Sequence, residues 1–461
     1  MASILGIDMA RLAANKPSPL DGMLHAGVRS RCAHEWQLNY TPKFSSSGVV
    51  RSVPPSSTIR RVAPLMRTIG VTRIAEVTQL DRVGVPNFVA VRPRDLGPGI
   101  SYYNGKGTTR AAAKAGAMME AIERYSGERC DLPVSYCTYD AMRQRAPTVN
   151  PRELIVPTVR EFESKLKLEW VEGFDLLSHE STFVPLNAVV CPYAPLRDCA
   201  LYYASTNGLA SGNTMEEALC HALCEVIERD ALAISLTALR LRPAVQSLLH
   251  ALGHKSALFG HSCKSFPLVS LERLPHPAAQ ISEKLLKTKL HVYLRNITST
   301  ARIPTFDCTI VEDRLNGGHL AHSGAGTHPD ARVALVRALT EAAQSRVAWI
   351  QGGREDLPEI KPRSDVFDPD RIFGSSERCS FSSIASHEYE RVDEDIHFLL
   401  QRLKAAGFGQ VIAVNLTRPE LGVPVVRVIV PRAETWTVFH LHTGRGIFGG
   451  RIASVLSASE D

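Results

Sequence analysis

Ser205–Asp230 reads STNGLASGNTMEEALCHALCEVIERD. A Gly/Asn/Ser stretch runs directly into an amphipathic helix, and Asn213 and Thr214 stand where an N-cap belongs. Glu216 and Glu217 follow in the first turn, where the helix dipole favours acids. At about 100° per residue Glu217 and Glu228 face nearly the same way, and Glu225 and Glu228 are neighbours one turn apart. Leu219, Ala222, Leu223, Val226 and Ile227 supply apolar stripes beside them. Two carboxylates so close repel unless a cation lies between them. Arg229, a lysine from elsewhere or a metal ion would serve.

The layout recurs. SYYNGKGTTRAAAKAGAMMEAIER (101–124) has Asn104-Gly105-Lys106-Gly107 as its loop, then a helix ending on Glu120, Glu123 and Arg124. HSGAGTHPDARVALVRALTEAAQSR (322–346) has Gly324 and Gly326 as the loop, Pro329 and Asp330 at the helix start, and Glu341, Gln344 and Arg346 at the far end. A single E-x-x-E-R is best read as a solvated Glu/Arg face. Three loop-then-helix units with acids at matching depth suggest one composite site.

Composition sets the class. With 461 residues the chain exceeds one typical core, so several subdomains are expected. Its 44% hydrophobic and 22% charged residues suit a water-soluble globular protein. A net charge of +6 over this length, with no dense basic run, does not point to nucleic acid. No apolar stretch is long enough to span a bilayer, and the N-terminus lacks a secretory h-region, so a cytoplasmic location is expected. The ten cysteines form no C-x-x-C pair, which excludes the usual zinc and redox signatures. Cys220 and Cys224 belong on the inner side of the central helix. His254, His261 and Cys263 match no standard metal spacing.

Residues 1–45 read as an irregular tail, 46–451 as one domain of several subdomains, and 452–461 as a C-terminal tail. Thr58 is the expected N-cap of a helix over IRRVAPLMRTIG. Val71–Gln79 and Asn87–Pro93 read as strands, and 131–200 as short strands punctuated by prolines. A strand near IPTFDCTIVED leads to the third acidic helix. HEYERVDEDIHFLLQRLKAAG precedes two strands, QVIAVNLTR and PVVRVIVPR, and 353–385 reads as a polar surface excursion. Helices and strands alternate without βαβ regularity. The fold class is therefore α+β, with mixed or antiparallel sheets.

Glycine-rich turns ahead of helix N-termini present N–H groups that can hold phosphate. Glutamates can hold Mg2+, and helix-end arginines can neutralise phosphoryl oxygens. No G-x-x-x-x-G-K-[ST] and no kinase motif set is present, so this would be a nucleotide site built on carboxylates.

The three segments SYYNGKGTTRAAAKAGAMMEAIERYSGE, STNGLASGNTMEEALCHALCEVIERDA and GAGTHPDARVALVRALTEAAQSR resemble the signature of the YcaO family. Members of that family phosphorylate a peptide backbone amide oxygen with ATP, and the likeness runs from about Arg51 to Arg451. The resemblance implies a YcaO-type fold around a central ATP site. Glu120, Glu123, Glu225 and Glu228 would be Mg2+ ligands. Ala210, Asn213, Glu217 and Arg229 would lie near the nucleotide. Arg51 and Thr58 match an early basic residue and hydroxyl that approach ATP, and Gln344 and Arg346 belong to the third motif. A nucleophile adds to the amide, the oxyanion attacks the γ-phosphorus, and phosphate leaves. A side-chain Cys, Ser or Thr gives an azoline, sulfide a thioamide, an amine an amidine, and water cleavage. Azoline-forming members usually end in a P-x-P-x-P tail, whereas this chain ends SVLSASED. GVTRIAEVTQLDRVGVPNFVAVRP and MMEAIERYSGE are similar to the TfuA-associated branch, which favours thioamidation of a peptide or protein with a TfuA-type partner. The resemblance also implies a homodimer. A nucleotide-binding accessory protein that potentiates another modifying enzyme is the alternative of a different class.

Overall fold

The computed structural model describes residues 36–46, 48–96, 99–155, 160–195, 200–241, 266–315, 318–354, 369–374 and 376–435. The chain divides into two units, Met1–Gln37 and Leu38–Asp461, and of the first only Trp36 and Gln37 are described. His254, His261, Cys263 and the C-terminal tail fall outside the described residues.

In chain order the second unit contains β1 Phe44–Ser46, β2 Val49–Arg51, α1 Pro55–Val62, α2 Leu65–Thr68, β3 Arg73–Glu76, β4 Asn87–Val91 and β5 Tyr102–Lys106. The first acidic helix, α3 Arg110–Gly127, is followed by β6 Val134–Thr138, α4 Tyr139–Arg143, β7 Lys167–Asp175, β8 Glu180–Pro185 and β9 Leu209–Ser211. The second, α5 Met215–Leu236, leads to β10 Leu268–Val269, α6 Ala278–Lys287, β11 His291–Asn296, β12 Thr305–Asp313 and β13 His319–Thr327. The third, α7 Ala331–Gln351, is followed by α8 Pro369–Phe373, β14 Arg378–Cys379, α9 Val392–Ala405, β15 Ile412–Asn415 and β16 Val425–Ile429.

The strands form a β1–β2 pair and three sheets, ordered β3-β4-β5, β6-β7-β15-β16-β9 with β8 on β7, and β13-β12-β11-β10-β14. Among the described strands pairing is antiparallel except between β10 and β14, as expected for an α+β chain. One core gathers around Trp170, Tyr103, Met118 and Ile122, and another around Phe306, Leu285, Leu335 and Leu339. Helix α5 is buried almost all round, with Leu219, Leu223 and Ile227 inside. Burying each such side chain contributes about 1.5–3 kcal/mol.

The glycine-rich stretches are not phosphate loops. Gly105 lies in β5 and Gly324 and Gly326 in β13, while Ala210 lies in β9. Each strand packs against the helix that follows it, and the approach is too close for a side chain. A Cβ on Gly105 would meet Ala113 O and Ala117 N at 2.1 Å, and one on Gly326 would meet Ala334 O at 2.1 Å. The helix N-termini are closed by the protein's own side chains. Thr109 accepts from Ala112 N, Thr214 from Glu217 N, and Asp330 from Arg332 N. Of the two N-cap candidates for the central helix, the structure uses Thr214.

Thr58 does not cap its helix. α1 opens on Pro54-Pro55, since proline suits a first turn that needs no N–H donor, and this puts Thr58 inside the helix and buried. Residues 38–45, read as tail from sequence, are tied down. Thr41 N donates to Asp393 Oδ1, and Lys43 Nζ lies 2.6 Å from Asp395 Oδ2. Among the described residues no helix is long and apolar enough to cross a membrane.

Candidate functional site

Helices α3, α5 and α7 carry their acids at the same depth. Counted from each first residue, the eleventh and fourteenth are Glu120 and Glu123, Glu225 and Glu228, and Glu341 and Gln344. Each helix packs on its own preceding strand and also on the strand of another unit: α3 on β9, α5 on β13, and α7 on β5. The three strand–helix units therefore close a ring, and the acids face its interior. A salt bridge completes the closure, Lys106 Nζ of β5 to Glu341 Oε2 of α7 at 2.7 Å.

The electrostatics are those of crowded carboxylates. Burial pushes Glu123 well above the usual carboxylate range, and Glu120 and Glu225 add repulsion. Burial also raises Glu225. Glu228 is pushed up to about 7 by burial and by Glu341. Its Oε2 is buried without a hydrogen-bond partner. Glu120 and Glu341 go the other way. Burial opposes their ionisation, but Arg124 at 2.8 Å holds Glu120 low, and Lys106 and Arg229 hold Glu341 low. Arg229 lies 3.8 Å from Glu225. Ser211 N donates to Glu123 Oε2 at 2.9 Å.

An orphaned buried oxygen and carboxyls held above their ordinary values are what a cation-binding acid set leaves when the cation is taken away. No three of these described carboxylates offer oxygens all within 4.8 Å of one another. They suit ions held by one or two carboxylates each and finished by water and phosphate oxygens, as Mg2+ prefers.

A second cluster sits at the start of α5. Glu217 accepts from Ser52 N at 3.0 Å, Ser52 Oγ at 2.6 Å and Asn213 Nδ2 at 3.1 Å, with Arg51 Nε 3.5 Å away. Thr58 Oγ1 donates to Asn213 Oδ1 at 3.0 Å. Arg51, Thr58, Asn213 and Glu217 are thus one connected group, and Ala210 lies on the adjoining strand, paired with Val426. From Glu217 to Glu225 and Glu228 is about 12–16 Å along the helix. Between them His221 is held neutral, far below the usual imidazole range, by burial and by the charges of Arg337, Arg51 and Lys106.

Arg346 stands apart. Arg124 and Arg229 are the fifteenth residues of their helices, whereas Arg346 is the sixteenth of its own, about 100° further round. Its guanidinium is committed to Asp81 at 3.0 Å and Glu312 at 2.6 Å. Sequence reasoning missed Lys106 and Arg337 as members of the site. Glu341 was legible from its depth in α7; Lys106 was not, because its partner lies 235 residues away.

Cys220, His328 and Asp395 form another buried group with ligand atoms within 4.8 Å. Asp330 N donates to His328 Nδ1, which leaves the proton on Nε2, and Lys43 Nζ lies 2.6 Å from Asp395 Oδ2, while burial still pushes the Asp395 carboxyl up to about 6 and its Oδ1 has no hydrogen-bond partner. Cys220 and Cys224 are buried, as expected.

Comparison with known proteins agrees with this architecture. The family model for YcaO cyclodehydratase, ATP- and Mg2+-binding, matches residues 104–434. The chain belongs to the YcaO family. Its cofactors are accordingly ATP and Mg2+. An uncharacterised protein of Methanothermobacter thermautotrophicus is 37% identical, covering 86% of this chain and 98% of its own length. A Rhizobium leguminosarum bv. trifolii protein described only as lying in the tfuA 3′ region is 32% identical over 85% of this chain and 91% of its own. Methanopyrus kandleri YcaO, solved with AMPPCP and Mg2+, superposes with a TM-score of 0.64 at 25% identity, over 88% of this chain and 97% of that one. A heterocyclase solved with substrate and cofactor shares the fold at a TM-score of 0.70 and 19% identity over 88% of this chain, which spans 55% of it.

Proposed function

We propose that the protein activates a peptide backbone amide by ATP-dependent O-phosphorylation and converts it to a thioamide, with a sulfide donor and a TfuA-type partner. The observation that carries this reading is the ring of acids at equal depth in three helices, with Glu228 Oε2 left unpartnered. Glu120, Glu123, Glu225 and Glu228 hold Mg2+, with Glu341 beside them. When bound, Mg2+ offsets charge on the transferring phosphoryl group.

Arg51, Thr58, Ala210, Asn213 and Glu217 would hold the nucleotide, and the acids would meet its phosphates through Mg2+. Lys106, Arg229 and Arg337 face the phosphates, and Gln344 adjoins them. Arg346 acts as a structural anchor, consistent with its pairing to the buried Asp81 and to Glu312. The Rhizobium relative's place beside tfuA supports the choice of sulfide over a side-chain nucleophile. The functional form is a homodimer in the cytoplasm.

The test is mass spectrometry of peptides incubated with the protein, ATP, Mg2+, sulfide and the partner. Exchange of oxygen for sulfur is expected. Loss of water would instead indicate an azoline former, cleavage a hydrolytic enzyme, and ATP turnover with unmodified peptide an accessory protein. Glu225→Gln is expected to lower ATP turnover about a hundredfold or more, the loss typical of removing one transition-state stabilising group. Normal ATP hydrolysis in that variant would remove the metal-site assignment.

A further inference from the structure

Arg427 lies on β16, in register with Leu209 of β9 and Val414 of β15. It is 5% exposed, yet neither Nε nor Nη1 has a hydrogen-bond partner. Arg346, equally buried, has two carboxylates. A buried cation without hydrogen-bond partners is strongly unfavourable, and proteins keep one where a ligand or reacting group completes it. Arg427's electrostatic neighbours include Glu225 and Glu123 of the acid ring, along with Arg124 and the Cys191 thiol. It also lines a small cleft of about 50 Å3, with Tyr203 and Ser205 among the other lining residues. On the same cleft Asn207 Oδ1 is a buried acceptor with no donor. The cleft thus offers an unmet donor and an unmet acceptor, the two needs of a peptide's C=O and N–H.

We infer that the amide being modified enters this cleft and that Arg427 donates to its carbonyl oxygen. The inference rests on the amide-activation reading above. Hydrosulfide gives its electron pair to the carbonyl carbon, and the C=O π pair moves onto oxygen, where Arg427 balances the charge. That oxygen bonds to the γ-phosphorus as the bond to ADP breaks. Phosphate then leaves with the oxygen, the S–H proton is released, and C=S remains. A donor aimed at developing charge is effective because it is already oriented.

The experiment uses Arg427→Met and Arg427→Lys, with Arg346→Met as a comparison, in the full chain with Mg2+ present. Arg427→Met is expected to melt at or above the wild-type temperature, because it removes a cation that lacks partners. Arg346→Met is expected to melt lower. A drop for Arg427→Met like that of Arg346→Met would mean structural partners and overturn the inference. Calorimetric affinity for a non-hydrolysable ATP analogue is expected to change less than about twofold, since Arg427 is not a phosphate ligand. A loss of tenfold or more would overturn the inference. With sulfide and a pool of N-acetylated, C-amidated peptides, kcat for thioamide formation is expected to fall about 10²–10³-fold in Arg427→Met at unchanged KM for ATP, with partial recovery in Arg427→Lys. Undiminished turnover would overturn it. Failure of the wild-type protein to bind the analogue would instead count against the amide-activation reading, and the melting comparison would still judge Arg427.

Discussion

Glu228 couples the chemistry of the site to pH. Its carboxyl is pushed up to about 7, first by burial and then by Glu341. A carboxyl raised on folding contributes stability that is fully present below its unfolded value and is lost as pH rises to its folded value. Metal binding requires the ionised form, so Mg2+ affinity is expected to rise between about pH 6 and pH 8, with proton release. Glu228→Gln should flatten that dependence and make the metal-free protein more stable near neutrality. Isothermal titration at several pH values, with melting curves of both proteins, checks this. An equally steep pH profile in the variant would exclude Glu228 as the titrating group. The acids themselves were legible in the sequence because a helix repeats every 3.6 residues, so equal spacing means equal depth and facing. The split between Glu120, held low, and Glu123, pushed up, was not legible. It depends on where Arg124 lies, and three-residue spacing alone cannot say that.

At the scale of elements, the strand–helix unit depends on glycine for closeness rather than for phosphate binding. Gly326→Ala would drive a methyl toward Ala334 O and is expected to destabilise by about 1–3 kcal/mol, the range for overpacking a tight contact. It should also weaken nucleotide binding by shifting α7. Urea denaturation and analogue titration measure the two effects, and unchanged stability would show that the strand–helix gap is loose. From sequence these glycines read as loops able to hold phosphate, and the structure places them in strands. Gly-x-Gly before a helix is equally compatible with an anion loop and with a strand lying flat against a helix. Only the β4–β5 and β12–β13 pairings decide between them.

Across the whole molecule, the acid ring is assembled from segments far apart in the chain, so ligand binding and folding are linked. A saturating ATP analogue with Mg2+ is expected to stabilise the protein by about 2.7 kcal/mol at a hundred times Kd, and this gain should vanish in Glu225→Gln. Differential scanning calorimetry with and without ligand reads it, and equal gains in both proteins would place the nucleotide elsewhere. Arg346→Met should do the opposite. It strands the buried Asp81, while Glu312 keeps Arg82 at 2.6 Å, and is expected to cost about 3–5 kcal/mol while leaving analogue affinity within a few-fold. A large loss of affinity at full stability would return Arg346 to the nucleotide.

The sequence alone determined the three helices, the depth of their acids and the α+β class, because periodicity, capping residues and turn residues act over a few positions. Tertiary structure decided which ends meet. It turned glycine loops into strands and brought Lys106 to Glu341. It also sent Arg346 to Asp81 and left Arg427 without a hydrogen-bond partner. Those outcomes depend on contacts between residues far apart in the chain, and local patterns carry no information about distance in space.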